Sequence, residues 1–333
     1  MSDLVKIAVD AMGGDGSPKK VIDGIILNHK LSANNYYKIF GNKTEIINLI
    51  NNRLKNNYYD VVDTSNIVKS TDSPLEAAKR GKDTSMWLAI DSVKNKDSDI
   101  VISAGNTGAL LVIAKLNLKM IDNIDKPALS ALWPNKKGMS VVLDLGANIE
   151  CSSKNLLDFS IMGASLYKSL YPNENPNVAL LNIGSEELKG NEVIKETFHI
   201  LKKKKSSDFN FSGYIEGNEL MNGIVNVIVA DGFTGNVALK TAEGTANFIT
   251  GELKNVLSGS LLGKLSSLLN ISNLKKFKKR LDPRLYNGAI FIGLTSPVVK
   301  SHGGTDHVGF ANSLDVCNRI VKGNLINKIK SNI

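Results

Sequence analysis

The sequence predicts an α/β fold in which a mainly parallel sheet is covered by helices on both faces. Apolar runs of strand length alternate with helical patterns along the chain, which is typical of this class. Most of these runs are apolar throughout, as strands buried on both faces should be. The chain has 333 residues, which are enough for a large core in one or two domains.

The strands are predicted from apolar runs, many of them rich in Val and Ile, taken in chain order. They are Val5–Val9, Tyr37–Phe40, Tyr59–Val62, Ile100–Ser103, Ala128–Leu132, Ser140–Leu143, Val178–Asn182 and Val225–Ala230, with a short one near Ala289–Gly293. Pro172–Pro176 is a loop, and no low-complexity linker interrupts the chain. We therefore expect one α/β domain over residues 1–333.

Helices are predicted between the strands, and two of them carry N-terminal signals. Ser73 is a suitable N-cap, Pro74 suits the first helical position, and Glu76 completes a capping box. Asn42 and Glu45 have the same spacing. We expect a helix to begin at each of these places.

One segment, residues 252–282, lacks any strand pattern and is predicted to be a protruding helical hairpin. Leucines recur there at three- and four-residue steps around a middle rich in Ser, Gly and Asn. The segment contains Leu261, Leu262 and Leu265, and its basic residues include Lys275, Lys276, Lys279 and Arg280. Either its apolar face packs on its own domain or on a second copy, or it docks on an anionic membrane. In the second case each basic residue adds about 1 kcal/mol.

The composition is basic and poor in cysteine. The chain has 41 Lys and Arg against 32 Asp and Glu, a formal net charge of +9, which suits an acidic partner, an anionic substrate or an anionic membrane. Cys151 and Cys317 are the two cysteines, and no CxxC pair or Cys/His cluster indicates a zinc site. The sequence shows no signal-peptide pattern and no run of 18 apolar residues. We expect a cytoplasmic protein.

Small polar residues follow five of the predicted strands. They are Asp10, Gly13 and Gly14; Gly105, Asn106, Thr107 and Gly108; Asp144 and Asn148; Gly184; and Asp231, Gly232, Thr234, Gly235 and Asn236. Since the carboxyl ends of parallel strands share one edge, we expect these loops to line a single crevice. Any one of them alone is an ordinary strand-to-helix turn, but five together favour a binding site.

Such loops favour anion binding. Glycine lets backbone N–H groups approach a ligand, and a following helix N-terminus adds free donors and partial positive charge. No loop matches GxxxxGK[ST] or GxGxxG, so nucleotide sites are not indicated. Candidate cations nearby are Lys189, Lys240 and Lys300, and His302 precedes Gly303. The carboxylates at these strand ends could hold lysines, bind a metal or act as bases, and spacing does not choose among these roles.

Six motifs together resemble the PlsX-type phosphate acyltransferases. They are IAVDAMGGDGSP, SAGNTGALL, LDLGAN, LLNIGSEELKGN, VADGFTGNVALKTAEG and KSHGGTD, found in the same order from about residue 5 to residue 325. The resemblance implies a three-layer α/β/α sandwich related to isocitrate/isopropylmalate dehydrogenases and phosphotransacetylases.

The resemblance also implies a reaction and partners. Inorganic phosphate would attack the thioester of a fatty acyl group on acyl carrier protein, and the acyl phosphate would feed a downstream glycerol-3-phosphate acyltransferase in phospholipid synthesis. No cofactor, metal or nucleic acid is expected. A homodimer, peripherally associated with an anionic membrane, is implied, and the basic run of the hairpin is a candidate docking face for the acidic carrier protein.

Site residues follow from the motif register. Lys189, Asp231 and Asn236 are the catalytic candidates: Lys189 would neutralise phosphate or protonate the leaving thiolate, and Asp231 would orient it. The small-residue loops, Lys240 and His302 would bind phosphate or the oxyanion. Cys151 as nucleophile is the rival mechanism. The alternative functions are a phosphotransacetylase-like enzyme that uses acyl-CoA and a non-enzymatic membrane scaffold.

Overall fold

A mixed sheet forms the centre of the molecule. The computed structural model describes residues 4–204, 206–260 and 268–333. Eleven strands are found in these residues: β1 Val5–Asp10, β2 Asn35–Gly41, β3 Tyr59–Asp63, β4 Ile100–Ser103, β5 Ala128–Asn135, β6 Gly138–Leu143, β7 Asn177–Asn182, β8 Asn210–Glu216, β9 Val227–Val229, β10 Ala289–Ile292 and β11 Val298–Lys300.

The strand order is β3-β2-β1-β4-β11-β10-β5-β6-β9-β7-β8. Pairing is parallel except at β11–β10, β10–β5 and β5–β6. Across these three antiparallel pairings the strand direction reverses, so β6, β7 and β9 run opposite to β1, β4 and β11. We call the end of the sheet where β1, β4 and β11 finish the first end, and the end where β6, β7 and β9 finish the second end.

This reversal corrects the expectation of a single crevice. The loops after β1 and β4 lie at the first end, whereas the loops after β6, β7 and β9 lie at the second end. The cause lies in the middle of the sheet. Only Lys136 and Lys137 separate β5 from β6, and a connection this short joins antiparallel strands because parallel strands need a long crossover.

Helices cover both faces of the sheet. They are α1 Lys19–Leu31, α2 Lys43–Ile50, α3 Pro74–Arg80, α4 Ser85–Lys94, α5 Thr107–Leu118, α6 Ser153–Leu170, α7 Glu192–Lys203, α8 Gly232–Ser258, α9 Ile271–Arg280, α10 His307–Lys322 and α11 Leu325–Asn332. In β1, Ile7 and Val9 pack in the core that contains α1, α6 and α10, whereas Ala8 packs in the core of α3, α4 and α5. The three-layer α/β/α arrangement is therefore confirmed.

The predicted strands are present, with ends that differ by up to three residues. Two strands were not predicted. β8 is an edge strand with two exposed and four half-buried residues among seven, and β11 has three residues. Both predicted N-caps are found: the Ser73 side chain accepts a hydrogen bond from the backbone N–H of Glu76, and Asn42 accepts one from Glu45.

The predicted hairpin segment, residues 252–282, begins inside a longer helix. α8 starts at Gly232, directly after β9, and its 27 residues extend about 40 Å. Within α8 only Gly232 and Gly235 are buried, while Phe248 is 70% exposed. Lys275, Lys276, Lys279 and Arg280 are exposed on α9, and Leu261, Leu262 and Leu265 lie outside the described residues. None of the described helices is long and apolar enough to cross a membrane.

Candidate functional site

At the first end, two glycine loops are in backbone contact. A Cβ on Gly13 would lie 2.6 Å from the amide nitrogen of Gly105, and one on Gly14 would lie 2.8 Å from the carbonyl oxygen of Ala104. Gly14 also has φ +84°, which favours glycine. The backbone N–H of Asp15 donates to Gly303 O at 3.0 Å. The loops after β1, β4 and β11 therefore form one compact group.

Asp10 lies buried at the end of β1 beneath these loops. Its carboxylate accepts hydrogen bonds from the hydroxyls of Ser85 and Ser103, both at 2.6 Å. Burial raises the pKa of Asp10, and the two serine hydrogen bonds and Lys300 oppose that effect. The serines were missed in the sequence because neither lies beside Asp10 in the chain.

Two lysines are buried at the first end. Lys300 donates to the carbonyl oxygen of Ala104 at 3.3 Å and to that of Ser301, and Lys20 donates to Gly303 O at 2.5 Å. Burial and the charge of Lys20 lower the pKa of Lys300 to about 8. Burial likewise lowers the pKa of Lys20. The sequence indicated Lys300, but Lys20 looks like an ordinary surface residue of α1.

Three other candidates of the first end have different roles. Asn106 caps α5 and donates to the carbonyl oxygens of Ser70 and Asp72, so its side chain is fully used in building the loop. Thr107 is exposed, and Gly108 packs against Pro74. His302 is also exposed, and its Nδ1 accepts from the backbone N–H of Gly304 at 3.2 Å.

At the second end, Asp144 organises the loop that follows β6. Its Oδ1 accepts backbone N–H groups of Leu129, Gly146 and Ala147 at 2.9–3.2 Å, and its Oδ2 accepts the backbone and side-chain N–H groups of Asn148, both at 2.8 Å. The carboxylate is completely buried, and burial raises its pKa. Asp144 is therefore committed to this loop.

The start of α8 packs directly on that loop. Asp231 is the N-cap of α8, and its carboxylate accepts from the backbone N–H and the hydroxyl of Thr234, both at 2.8 Å. Asn236 donates to Leu145 O at 3.0 Å. A Cβ on Gly235 would overlap the carbonyl oxygen of Asp144, and one on Gly232 would overlap that of Asn148. Small residues are needed here for close backbone packing.

Lys189 lies in the loop after β7, beside the loop after β9. The Asn182 side chain clamps this loop, donating to the carbonyl oxygens of Gly184 at 3.1 Å and Lys189 at 3.2 Å. The Lys189 side chain is exposed. The expected orientation of Lys189 by Asp231 is not found: both residues are described, no ion pair joins them, and Thr234 is the partner of Asp231.

Two further candidates have clear surroundings. Lys240 is exposed and pairs with Glu243 at 2.7 Å. Cys151 is half-buried beside Asn148, and burial raises the pKa of its thiol to about 11. Because the thiolate is the reactive form, this setting disfavours Cys151 as a nucleophile. Among the residues that the structure describes, no group of three His, Cys, Asp or Glu is arranged to hold a metal ion.

Several solved structures share the fold of this chain. A phosphotransacetylase from Streptococcus pyogenes matches 98% of this chain and 95% of its own with a TM-score of 0.63 at 14% identity. The EutD phosphotransacetylase from Staphylococcus aureus has a TM-score of 0.62, also at 14% identity, and the match covers 97% of this chain and 94% of its own. The 4-hydroxythreonine-4-phosphate dehydrogenase from Klebsiella pneumoniae has a TM-score of 0.52 at 11% identity, and the match covers 96% of this chain and 100% of its own. The expected relation to phosphotransacetylases in fold is confirmed.

Sequence relatives cover the whole chain. A protein of Pelagibacter ubique named phosphate acyltransferase is 73% identical over 333 residues, all of both chains. One of the same name from Rhodospirillum rubrum is 42% identical over 100% of this chain and 95% of its own. The model of the fatty acid synthesis protein family matches residues 5–328. The chain therefore belongs to the fatty acid synthesis protein family and, within it, to the phosphate acyltransferase enzymes.

Proposed function

We propose that this enzyme transfers a fatty acyl group from the thioester of acyl carrier protein to inorganic phosphate, giving acyl phosphate for phospholipid synthesis. The observation that carries the proposal is the backbone contact between Gly13 and Gly105 at the first end. It places two glycine loops, one of which leads into the N-terminus of α5, beside a buried group of charges. Backbone donors and a helix N-terminus suit a phosphate ion.

The proposed reaction needs alignment more than covalent catalysis. A phosphate oxygen attacks the thioester carbon, the carbon–sulfur bond breaks, and the sulfur receives the proton that the phosphate loses. Holding the two reactants in line supplies up to about 7–11 kcal/mol. Backbone N–H groups that stabilise the intermediate oxyanion are each worth about 3 kcal/mol.

Lys189 is the proposed cation for the leaving thiolate, and Asp231 and Asn236 are positioning residues that fix the start of α8. These three residues lie at the second end. β11 and β6 are separated by three strand spacings, roughly 14 Å, and they finish at opposite ends of the sheet. In a homodimer, the second end of one copy would lie against the first end of the other copy. We therefore propose a homodimer, supported by the exposed apolar side chains of α8.

The test of the activity is direct. The purified protein is incubated with palmitoyl–acyl carrier protein, with and without phosphate, and hydroxylamine-reactive acyl phosphate is measured. We expect acyl phosphate only when phosphate is present. Turnover with palmitoyl-CoA alone would indicate the phosphotransacetylase-like alternative, and no turnover with either donor would support a scaffold.

The basic helix α9 is the proposed docking face for the acidic carrier protein and for anionic membrane. It carries five Lys or Arg residues among ten, all of them exposed, and the preceding Leu269 is 79% exposed. Leu269→Glu should weaken binding to vesicles that contain phosphatidylglycerol while activity in solution stays unchanged. Lys275→Glu should weaken binding to both carrier protein and vesicles. Unchanged sedimentation of Leu269→Glu with vesicles would contradict the membrane role.

A further inference from the structure

Two buried lysines lie near each other at the first end, although they come from distant parts of the chain. Lys20 lies in the first turn of α1 and is 8% exposed, and Lys300 ends β11 and is 9% exposed. Both lie around Gly14: its ideal Cβ position is 3.0 Å from Lys20 Nζ and 2.8 Å from the carbonyl oxygen of Ala104, to which Lys300 Nζ donates at 3.3 Å. Lysines are rarely buried this far without a carboxylate or a ligand as partner.

The charges around this pair do not balance. The carboxylate of Asp10 faces Lys300, and Asp15 faces Lys20. Asp10 is 1% exposed, but Asp15 is exposed and screened by solvent. The buried part of the group therefore contains two cations and one anion. Bonds to the carbonyl oxygens satisfy ammonium protons without neutralising the charge, and an unpaired buried charge is unfavourable.

The glycine loops leave room for a ligand beside Lys20. The Lys20 ammonium is 3.0 Å from where a Cβ of Gly14 would lie, so glycine keeps this approach free. A surface depression whose lining includes Asp15, Lys20, Asp23, Thr305 and Asp306 reaches Lys20 from solvent, and Lys300 lies deeper, behind Lys20.

We propose that Lys20 and Lys300 together bind the phosphate substrate, with the dianion supplying the negative charge that the buried group lacks. This inference rests on the proposed function and assigns its phosphate to two named side chains. A phosphate bound there would accept from the ammonium groups and from backbone N–H groups of the glycine loops. Charge-assisted bonds of this kind are the stronger class of hydrogen bond.

Phosphate affinity tests the inference without any acyl donor. Titration calorimetry with inorganic phosphate, against sodium chloride of equal ionic strength, is compared for the wild type, Lys20→Met and Lys300→Met. We expect each substitution to weaken phosphate binding tenfold or more. The matched control is Lys30→Met, at an exposed position in the last turn of the same helix and outside the lining of the depression. Its affinity should stay within twofold of the wild type.

Two additional measurements keep the result interpretable. Lys300→Arg and Lys20→Arg keep the positive charge and should retain most of the phosphate affinity. If the shape of the lysine side chain mattered and not its charge, the arginine variants would lose affinity as the methionine variants do. Phosphate should raise the thermal midpoint of the wild type and lose this effect in both methionine variants. Unchanged affinity in folded Lys20→Met and Lys300→Met overturns the inference even if acyl transfer is found. Phosphate binding that depends on the lysines, without acyl transfer, would instead overturn the proposed function.

Discussion

Single glycines show how far the sequence determines this site. The run Asp231–Asn236 predicts a strand-to-helix connection with little bulk, and the structure shows it as the N-cap and first turn of α8, in which Gly232 and Gly235 have no room for a side chain. Gly235 packs against Asp144, some ninety positions earlier in the chain, and although the sequence analysis singled out both residues, no local pattern indicates this contact. Likewise, burial of Lys20 depends on the loop around Gly303, so only the folded structure distinguishes it from the exposed Lys19.

Gly235→Ala should destabilise the protein strongly, by at least about 2 kcal/mol, because the new methyl group overlaps a backbone carbonyl that is fixed by the loop of Asp144. The control lies in the same helix. Gly251 has no atom within 4 Å of its ideal Cβ position, so Gly251→Ala should stabilise α8 by about 0.5–1 kcal/mol. Urea unfolding measures the free energy of unfolding of both variants. Equal stability of Gly235→Ala and Gly251→Ala would contradict the close packing of Gly235 on the backbone of Asp144.

The phosphate affinity should also depend on pH through Lys300, whose pKa is lowered to about 8. Below that pH the ammonium is charged and attracts phosphate, and above it the neutral amine does not. The charged groups that face it are Asp10 and Lys20. We expect the KM for phosphate to rise once the pH exceeds about 8, by up to tenfold per unit. In Lys300→Arg, which stays charged, this rise should disappear.

At the scale of elements, periodicity predicted nine strands but not their directions. Because buried parallel and buried antiparallel strands have similar apolar runs, these runs do not indicate that the strand direction reverses at β5 and β10. One signal was available. The two residues Lys136 and Lys137 between β5 and β6 indicate a hairpin. β11 was missed because three residues are too few for a pattern.

Capping and catalysis can be separated at the start of α8. Asp231→Ala should cost about 1 kcal/mol of stability because α8 loses its N-cap. Asp231→Asn and Asp231→Ser keep a capping oxygen and should keep the stability. If Asp231 is a positioning residue, these two variants should also retain most of the kcat. Loss of kcat in Asp231→Asn at full stability would show that the negative charge itself is needed.

At the scale of the molecule, the long helix α8 links the site to the surface. It begins on the loop of Asp144 and ends at Ser258, and Val256 in its last turn is 71% exposed. A helix with exposed apolar side chains along its length is seldom stable alone in water. Phe248→Glu should therefore shift the protein from dimer to monomer in analytical ultracentrifugation, while Thr245→Glu, at an exposed polar position of the same helix, should leave the dimer intact.

A shared active site makes a sharper prediction than dimerisation alone. Asp10→Asn damages the first end and Lys189→Met the second end, and each variant alone should be inactive. If one copy supplies the first end and the other the second, a mixed dimer has one site with both changes and one intact site. Random mixing then restores about a quarter of the wild-type activity, because half of the dimers are mixed and half of their sites are intact. If each chain contains a complete site, mixing restores nothing. Subunit exchange is verified with differently tagged chains, and two Lys189→Met copies with different tags serve as the inactive control.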